Sequence, residues 1–206
     1  MTDIKNTREQ NEYWSQRYQD QRTGWDIGHS STPLNDYIDQ LENKDLKILI
    51  PGAGNAYEAE YLFKNGFSNV IVLDIAAEPL EAFQKRNPDF PPNQLIHGNF
   101  FEHTGSYDII FEQTFFCSFS PTSSNRSMYA KHMHKLLAER GKLVGLWFDI
   151  PLDSEMGNRP FGGSKDEYLQ YLSPYFETKT FEKAYNSIAD RAGSELFGIF
   201  QKKMIS

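Results

Sequence analysis

An α/β fold with a seven-stranded, mostly parallel sheet is what the sequence predicts. Three observations carry that expectation. Short apolar runs alternate with helical patterns across residues 46–150. A Pro-Gly-Ala-Gly break (residues 51–54) stands where the first apolar run hands over to a helix. The tail ends instead in two apolar runs separated by few residues. Apolar strands alternating with helices mean a parallel sheet covered on both faces, and a closing hairpin supplies one antiparallel strand.

Residues 1–11 are polar and expected to be mobile. A helix is predicted over 11–21, where Trp14 and Tyr18 stand four apart on one face. Residues 22–33 form a loop broken by Gly24, Gly28 and Pro33, and 34–41 a second helix. Residues 12–42 are thus expected to be a helical lid, and 46–206 the core of a single domain spanning 1–206. Strands are predicted over 46–50, 69–74, 94–100, 107–113, 142–150, 176–185 and 195–203. The helices between them cover 56–66, ended by Gly66, 78–88, stopped by Pro88, and 125–141, closed by Gly141. Ser164 and Glu167 have the spacing of a capping box that opens a last helix over 165–176.

The 206 residues carry a net charge of −7, with Lys and Arg scattered, so no basic stripe for nucleic acid is present. A single cysteine, Cys117, excludes an internal disulfide and any multi-cysteine metal site. His132 and His134 lie two apart on a predicted helix and face apart, so no metal is expected. The first residues have no apolar core of a secretory signal, and no run approaches the length of a membrane span. The expectation is a soluble, cytoplasmic protein that acts on a small molecule, with neither nucleic acid nor membrane as partner; its oligomeric state is left open, with a monomer compatible.

In an open parallel sheet, ligands sit beyond the carboxyl ends of the strands, where the strand order reverses. The first strand ends at Gly52 and Gly54, whose missing side chains let another group approach the backbone. The second strand ends at Asp74, placed to accept hydrogen bonds from ribose hydroxyls. The dinucleotide fingerprint needs a third glycine three residues on, and Tyr57 stands there. No Lys-Ser or Lys-Thr follows, so a P-loop is excluded. A cofactor with ribose but no phosphate fits, and S-adenosyl-L-methionine is the candidate, with S-adenosyl-L-homocysteine as product. A nicotinamide-dependent oxidoreductase and a non-catalytic nucleoside-binding protein remain as alternatives.

Beyond this, "YWSQRYQDQRTGWDIG", "LIPGAGNAYEAEYL", "VLDI", "GNFFE", "YDIIFEQTFFCSFSP" and "MHKLLAERGKLV" resemble the thiopurine S-methyltransferase family, especially its halide and thiol methyltransferase branch. The resemblance covers residues 13–203. It implies a class I, Rossmann-like methyltransferase fold and methyl transfer to a soft nucleophile, a thiol or halide, or to another small molecule. It also implies roles. Trp14 and Tyr18 match the aromatic pair of a lid helix, and Trp25 the aromatic residue closing over the cofactor. Gly52 and Gly54 match the loop under the methionine part, Asp74 the ribose carboxylate and Ile75 its neighbour at the adenine. Asn99 and Phe100 match the adenine edge. Gln113 matches the residue near the methionine carboxylate and stands where thiopurine enzymes carry arginine. "GNRPFGG" replaces a Gly-Pro-Pro segment, so the substrate loop is expected to differ.

Trp and Tyr faces attract a sulfonium cation. Phe115, Phe116 and Phe119 are candidates for an aromatic wall that strips water from an anionic acceptor. Phe115 and Phe116 follow one another, so one of them is expected to face the core. Arg159 is a candidate for the substrate pocket; it and Arg191 lie in late loops, where arginines are ordinarily solvated. No catalytic base is expected, because a thiolate or halide is already a nucleophile. Cys117 reads as a small buried hydrophobe.

Overall fold

The computed structural model describes residues 6–152 and 159–204. One sheet holds β1 (Ile48–Pro51), β2 (Val70–Asp74), β3 (Leu95–His97), β4 (Tyr107–Gln113), β5 (Leu137–Phe148), β6 (Phe176–Lys183) and β7 (Glu195–Lys202). Their spatial order is β3-β2-β1-β4-β5-β7-β6. β1 to β5 pair in parallel, while β7 runs antiparallel to both β5 and β6. The expected antiparallel strand is the last in the chain, wedged inside the edge strand of its own hairpin.

Period-two alternation sorts strand side chains onto two faces. Ile48, Ile50, Phe111 and Val144 meet the layer of α2 (Thr32–Asp39), α3 (Tyr57–Lys64) and α4 (Ala77–Arg86). Leu49, Ile110, Leu143 and Trp147 meet α5 (Ser123–Leu136) and α6 (Lys165–Leu172). Trp147 packs edge-on to Phe181 and Phe200, which locks β5, β6 and β7 together. Each such ring, fully buried, contributes roughly 1.5–3 kcal/mol relative to exposure.

Several elements depart from expectation. α1 (Thr7–Gln19) begins well before residue 11, because the Asn6 side chain accepts from Glu9 N (3.2 Å) and caps it. Residues 7–11 are therefore helical, and residues 1–5 lie outside the described residues. α2 is not part of a lid: Leu34 and Ile38 are fully buried against the sheet. The lid reduces to α1 and the loop after it. α5 stops at Leu136, and Leu137 already pairs with Tyr107 of β4 across a register shift. Gly141 serves that sheet edge rather than a helix end, since a Cβ there would lie 2.9 Å from the Tyr107 carbonyl oxygen.

The capping box is half made. Ser164 Oγ accepts from Glu167 N (3.3 Å), but the Glu167 carboxylate turns to Arg126 on α5. Arg126, buried, also donates to the Gly162 carbonyl (2.7 Å) and so ties the end of the "GNRPFGG" segment to the core. Gly157 and Asn158 of that segment lie outside the described residues. In the sheet, β1 sits between β2 and β4, so the loops after β1 and β4 meet where the strand order reverses.

Candidate active site

The turn after β1 is held by left-handed backbone at Gly52 (φ +57), Gly54 (φ +54) and Ala56, the N-cap of α3. A Cβ at Gly52 would fall 2.0 Å from Phe115 Cδ2. One at Gly54 would meet the Tyr18 hydroxyl at 3.1 Å. The groups that press on this backbone are thus the protein's own aromatic side chains, one from the β4 loop and one from α1. Asp74 secures the turn from the neighbouring strand. Its Oδ2 accepts from Gly54 N (2.8 Å) and its Oδ1 from Ala76 N (2.9 Å). Burial pushes the carboxyl group's pKa up, and these N–H groups oppose that shift. Each carboxylate oxygen keeps lone-pair capacity, and Asp74 lines a cavity wide of its backbone partners. That suits the hydroxyl pair of a ribose.

Three cavities converge at the carboxyl ends of β1, β2 and β4. The first is lined by Trp14, Tyr18, Gly52, Asp74, Ile75, Asn99, Phe100 and Phe115. The second lies beside the glycine turn and is lined by Gly54 and Gln113. The third is lined by Arg159, between the lid and the start of β7. Trp25 and Thr114 line all three. Thr114 has φ 55, a strained conformation for a β-branched residue. It turns the chain sharply at the end of β4 and sets Phe115 against Gly52.

α1 is fastened over the first cavity. Asn11 donates to the Ile75 carbonyl, Asn99 Nδ2 to Thr7 Oγ1 (2.9 Å) and Gln19 to Glu78 (2.8 Å). Trp25 packs edge-on between Trp14 (5.3 Å) and Tyr18 (5.7 Å). Burial, and then the charge of Asp74, keep the Tyr18 phenol protonated. With these rings in place the first cavity holds about 80 Å³.

The aromatic wall divides. Phe115 packs edge-on to Phe100 (5.1 Å) and Phe119 (4.8 Å) at the cavity. Phe116 does not line the pocket. It is buried between Tyr129 and Tyr168 in the core, because the turn after Thr114 sends consecutive side chains opposite ways. Cys117 is buried, its Sγ donates to the Thr114 carbonyl (3.2 Å), and burial pushes its pKa up, so the thiol is unreactive. Arg191 is not solvated. It is buried, pairs with Glu195 (3.2 Å) and donates to the Trp25 carbonyl (2.7 Å), joining β7 to the lid loop. Tyr57 opens α3 at the third-glycine position, with Arg86 over its ring at 4.8 Å.

Three functional candidates escaped the sequence. The first, Thr114, is marked only by backbone geometry. The second, Glu112, sits in the apolar run "IIFEQ", where a lone carboxylate signals a buried polar group. Its Oε1 accepts from Phe115 N (2.9 Å) and Phe116 N (2.7 Å), and its Oε2 is buried without a partner. Burial pushes its pKa up to about 8 against those two N–H groups, with the charge of Glu195 adding to the rise. The third, Arg17, lies beside Tyr18 and lines the third cavity. No histidine lines the first or third cavity. Among the described residues no cluster of His, Cys, Asp and Glu could hold a metal, and no helix is long and apolar enough to cross a membrane.

Known proteins resemble this chain in sequence and in fold. A probable thiol methyltransferase 2 from Arabidopsis thaliana is 28% identical over 195 residues, covering 92% of this chain and 84% of the relative. A thiopurine S-methyltransferase from Acinetobacter baylyi is 22% identical, covering 90% and 94%. Among solved structures, Burkholderia thailandensis 1,6-didemethyltoxoflavin-N1-methyltransferase with bound 1,6-didemethyltoxoflavin and S-adenosylhomocysteine superposes with a TM-score of 0.78 at 14% identity, covering 99% and 92%. The fold is that of a class I methyltransferase, and the family model for thiopurine S-methyltransferase matches residues 9–203. The chain belongs to the thiopurine S-methyltransferase family and is an S-adenosylmethionine-dependent methyltransferase.

Proposed function

We propose that the acceptor is a small thiol, methylated as its thiolate without a base from the protein. The observation that supports this is the chemistry around Trp25 and Thr114, where the three cavities meet. Asp26 there is engaged by Gly28 N (2.7 Å) and Asn55, Tyr18 is held protonated, and Cys117 is buried and neutral. No histidine lines the first or third cavity, and two other titratable groups near the junction, His29 and Glu112, line the second, beside the glycine turn. The thiol relative from Arabidopsis thaliana supports a soft acceptor. Gln113, uncharged, stands where thiopurine enzymes carry arginine, which weighs against a thiopurine.

S-adenosylmethionine supplies a methyl group on a sulfonium sulfur; the acceptor sulfur's electron pair forms the new bond to carbon as the sulfonium bond breaks. The protein's part is to hold and to exclude water. In this reading Asp74 holds the ribose, Ile75, Asn99 and Phe100 border the adenine, and Gly52, Gly54 and Gln113 border the methionine part. Ring faces of Trp14, Tyr18 and Trp25 turned to the sulfonium would each be worth roughly 0.5–2 kcal/mol to a desolvated cation. Phe115 and Phe119 keep water from the acceptor. The reaction is tested by rate against pH for two thiols of well-separated pKa. The rising limb is expected to follow each thiol's own pKa. One limb common to both, lost on mutating a single side chain, would establish a protein base and overturn this reading.

A further inference from the structure

We propose that the acceptor carries an anionic group of the carboxylate kind apart from its reacting sulfur, and that Arg17 and Arg159 hold that group in the third cavity. This rests on the thiol-methylation reading. The third cavity holds about 570 Å³, many times the roughly 30 Å³ that one water occupies in the liquid. A halide or a short alkyl thiol would leave most of it wet. It is lined by charges of both signs. Arg17, Arg159 and Arg191 line it, opposed by Asp26 and Asp190. Asp190 is exposed, Asp26 is engaged by the lid loop and α3, and Arg191 is neutralised by Glu195.

Arg17 and Arg159 differ from Arg191. Among the described residues neither pairs with a carboxylate. Arg17 Nε is fully buried with no hydrogen-bond partner, and its guanidinium lies 5.5 Å from the ring centroids of both Tyr13 and Trp25. Arg159 donates through Nε to the Ser118 carbonyl (2.6 Å), and its guanidinium lies 4.5 Å from the Tyr13 ring and 5.4 Å from that of Trp14. Tyr13 and its neighbours therefore hold both cations at one cavity, with terminal nitrogens left to donate. Guanidinium packed on aromatic rings keeps its in-plane donors for a carboxylate. Arg17 and Arg159, with no carboxylate partner among the described residues, line one cavity and repel one another. An acceptor anion removes that conflict, and the same charges would favour its entry as thiolate.

The test compares 3-mercaptobenzoate with 3-mercaptobenzamide, which match in shape and differ in charge. The enzyme is expected to prefer the acid by at least about tenfold in kcat/KM, the size of one hydrogen-bonded charge pair. Arg17→Gln and Arg159→Gln should each reduce that ratio through KM, and the double variant should bring it towards one. Lysine at either position should restore part of it. Binding of 3-(methylthio)benzoate in the presence of S-adenosylhomocysteine, by calorimetry, reads the site without turnover. Arginine-dependent binding of this thioether with neither thiol methylated would support the anion site and overturn thiol methylation. Equal methylation of both thiols by the wild type would overturn the anion site and leave methylation standing. A loss of S-adenosylhomocysteine affinity in Arg17→Gln as large as the loss for the acid would assign Arg17 to the cofactor and overturn the proposal.

Discussion

Asp74 holds two backbone N–H groups and faces the cavity with the same carboxylate. Asp74→Ala is therefore expected to act twice. It should cost about 1–3 kcal/mol of stability from the unpaired N–H groups, and weaken S-adenosylmethionine and S-adenosylhomocysteine at least about tenfold and equally, since both share the ribose. Calorimetry with the two ligands checks this, and a large loss for one alone would move Asp74 away from the ribose. Glu112 makes a prediction of opposite sign in pH. Its pKa is about 8 in the folded protein and near 4.3 unfolded, so the folded state binds the extra proton between these values. Wild-type stability should then fall as pH rises through that window. Glu112→Gln keeps an oxygen for Phe115 N and Phe116 N without a charge. Its Tm should exceed that of the wild type at pH 9, with the gap closing towards pH 4. A gap independent of pH would show that Glu112 is ionised throughout.

Among elements, the glycine turn and the lid decide access. Gly52 and Gly54 share a positive φ, but their surroundings differ. Alanine at either position costs about 1–2 kcal/mol for left-handed backbone. At Gly52 it also collides with the Phe115 ring, adding about 1–3 kcal/mol of overpacking. At Gly54 it meets only the end of the Tyr18 side chain. Gly52→Ala should thus lower Tm more than Gly54→Ala in thermal unfolding, and the reverse order would contradict the packing described. The lid gives a second test. Trp14 and Trp25 line the first cavity, so on the proposed reading S-adenosylhomocysteine should change tryptophan fluorescence and slow proteolysis within α1. Binding without any change in Trp14 or Trp25 emission, read in single-tryptophan variants, would mean that the lid does not move.

What the sequence disclosed and what it hid follow from the range of the forces involved. The strand–helix alternation was legible because burial on two faces imprints itself on consecutive residues, and β4 falls where it was expected. The end of α5 was not legible. Residues 137–140 have helical character, and only the approach of Tyr107 across the sheet converts them to strand. α2 was counted with the lid, whereas its Leu34 and Ile38 are buried in the core. The spacing of Gly52, Gly54 and Asp74 was enough to bring the two strand ends together, and Asp74 accepts from Gly54 N. That one of Phe115 and Phe116 faces the core was expected; that it is Phe116 follows from the backbone reversal at Thr114, which has no signature in side-chain type. Arg191 was taken as solvated because its partner Glu195 and the Trp25 carbonyl come together only in the folded chain.

At the scale of the whole molecule, three cavities meet at the carboxyl ends of the strands, with Trp25 and Thr114 lining all of them, and the proposed function reads them together. That arrangement predicts methyl transfer from S-adenosylmethionine to a thiol in a single step. Methyl-labelled S-adenosylmethionine, the purified protein and 3-mercaptobenzoate, followed by mass spectrometry, test this most directly. The account predicts labelled thioether and S-adenosylhomocysteine in equal amounts, dependent on protein and lost in Asp74→Ala at low cofactor concentration. Tight binding of S-adenosylhomocysteine with no labelled thioether, from this or any other thiol, would contradict it.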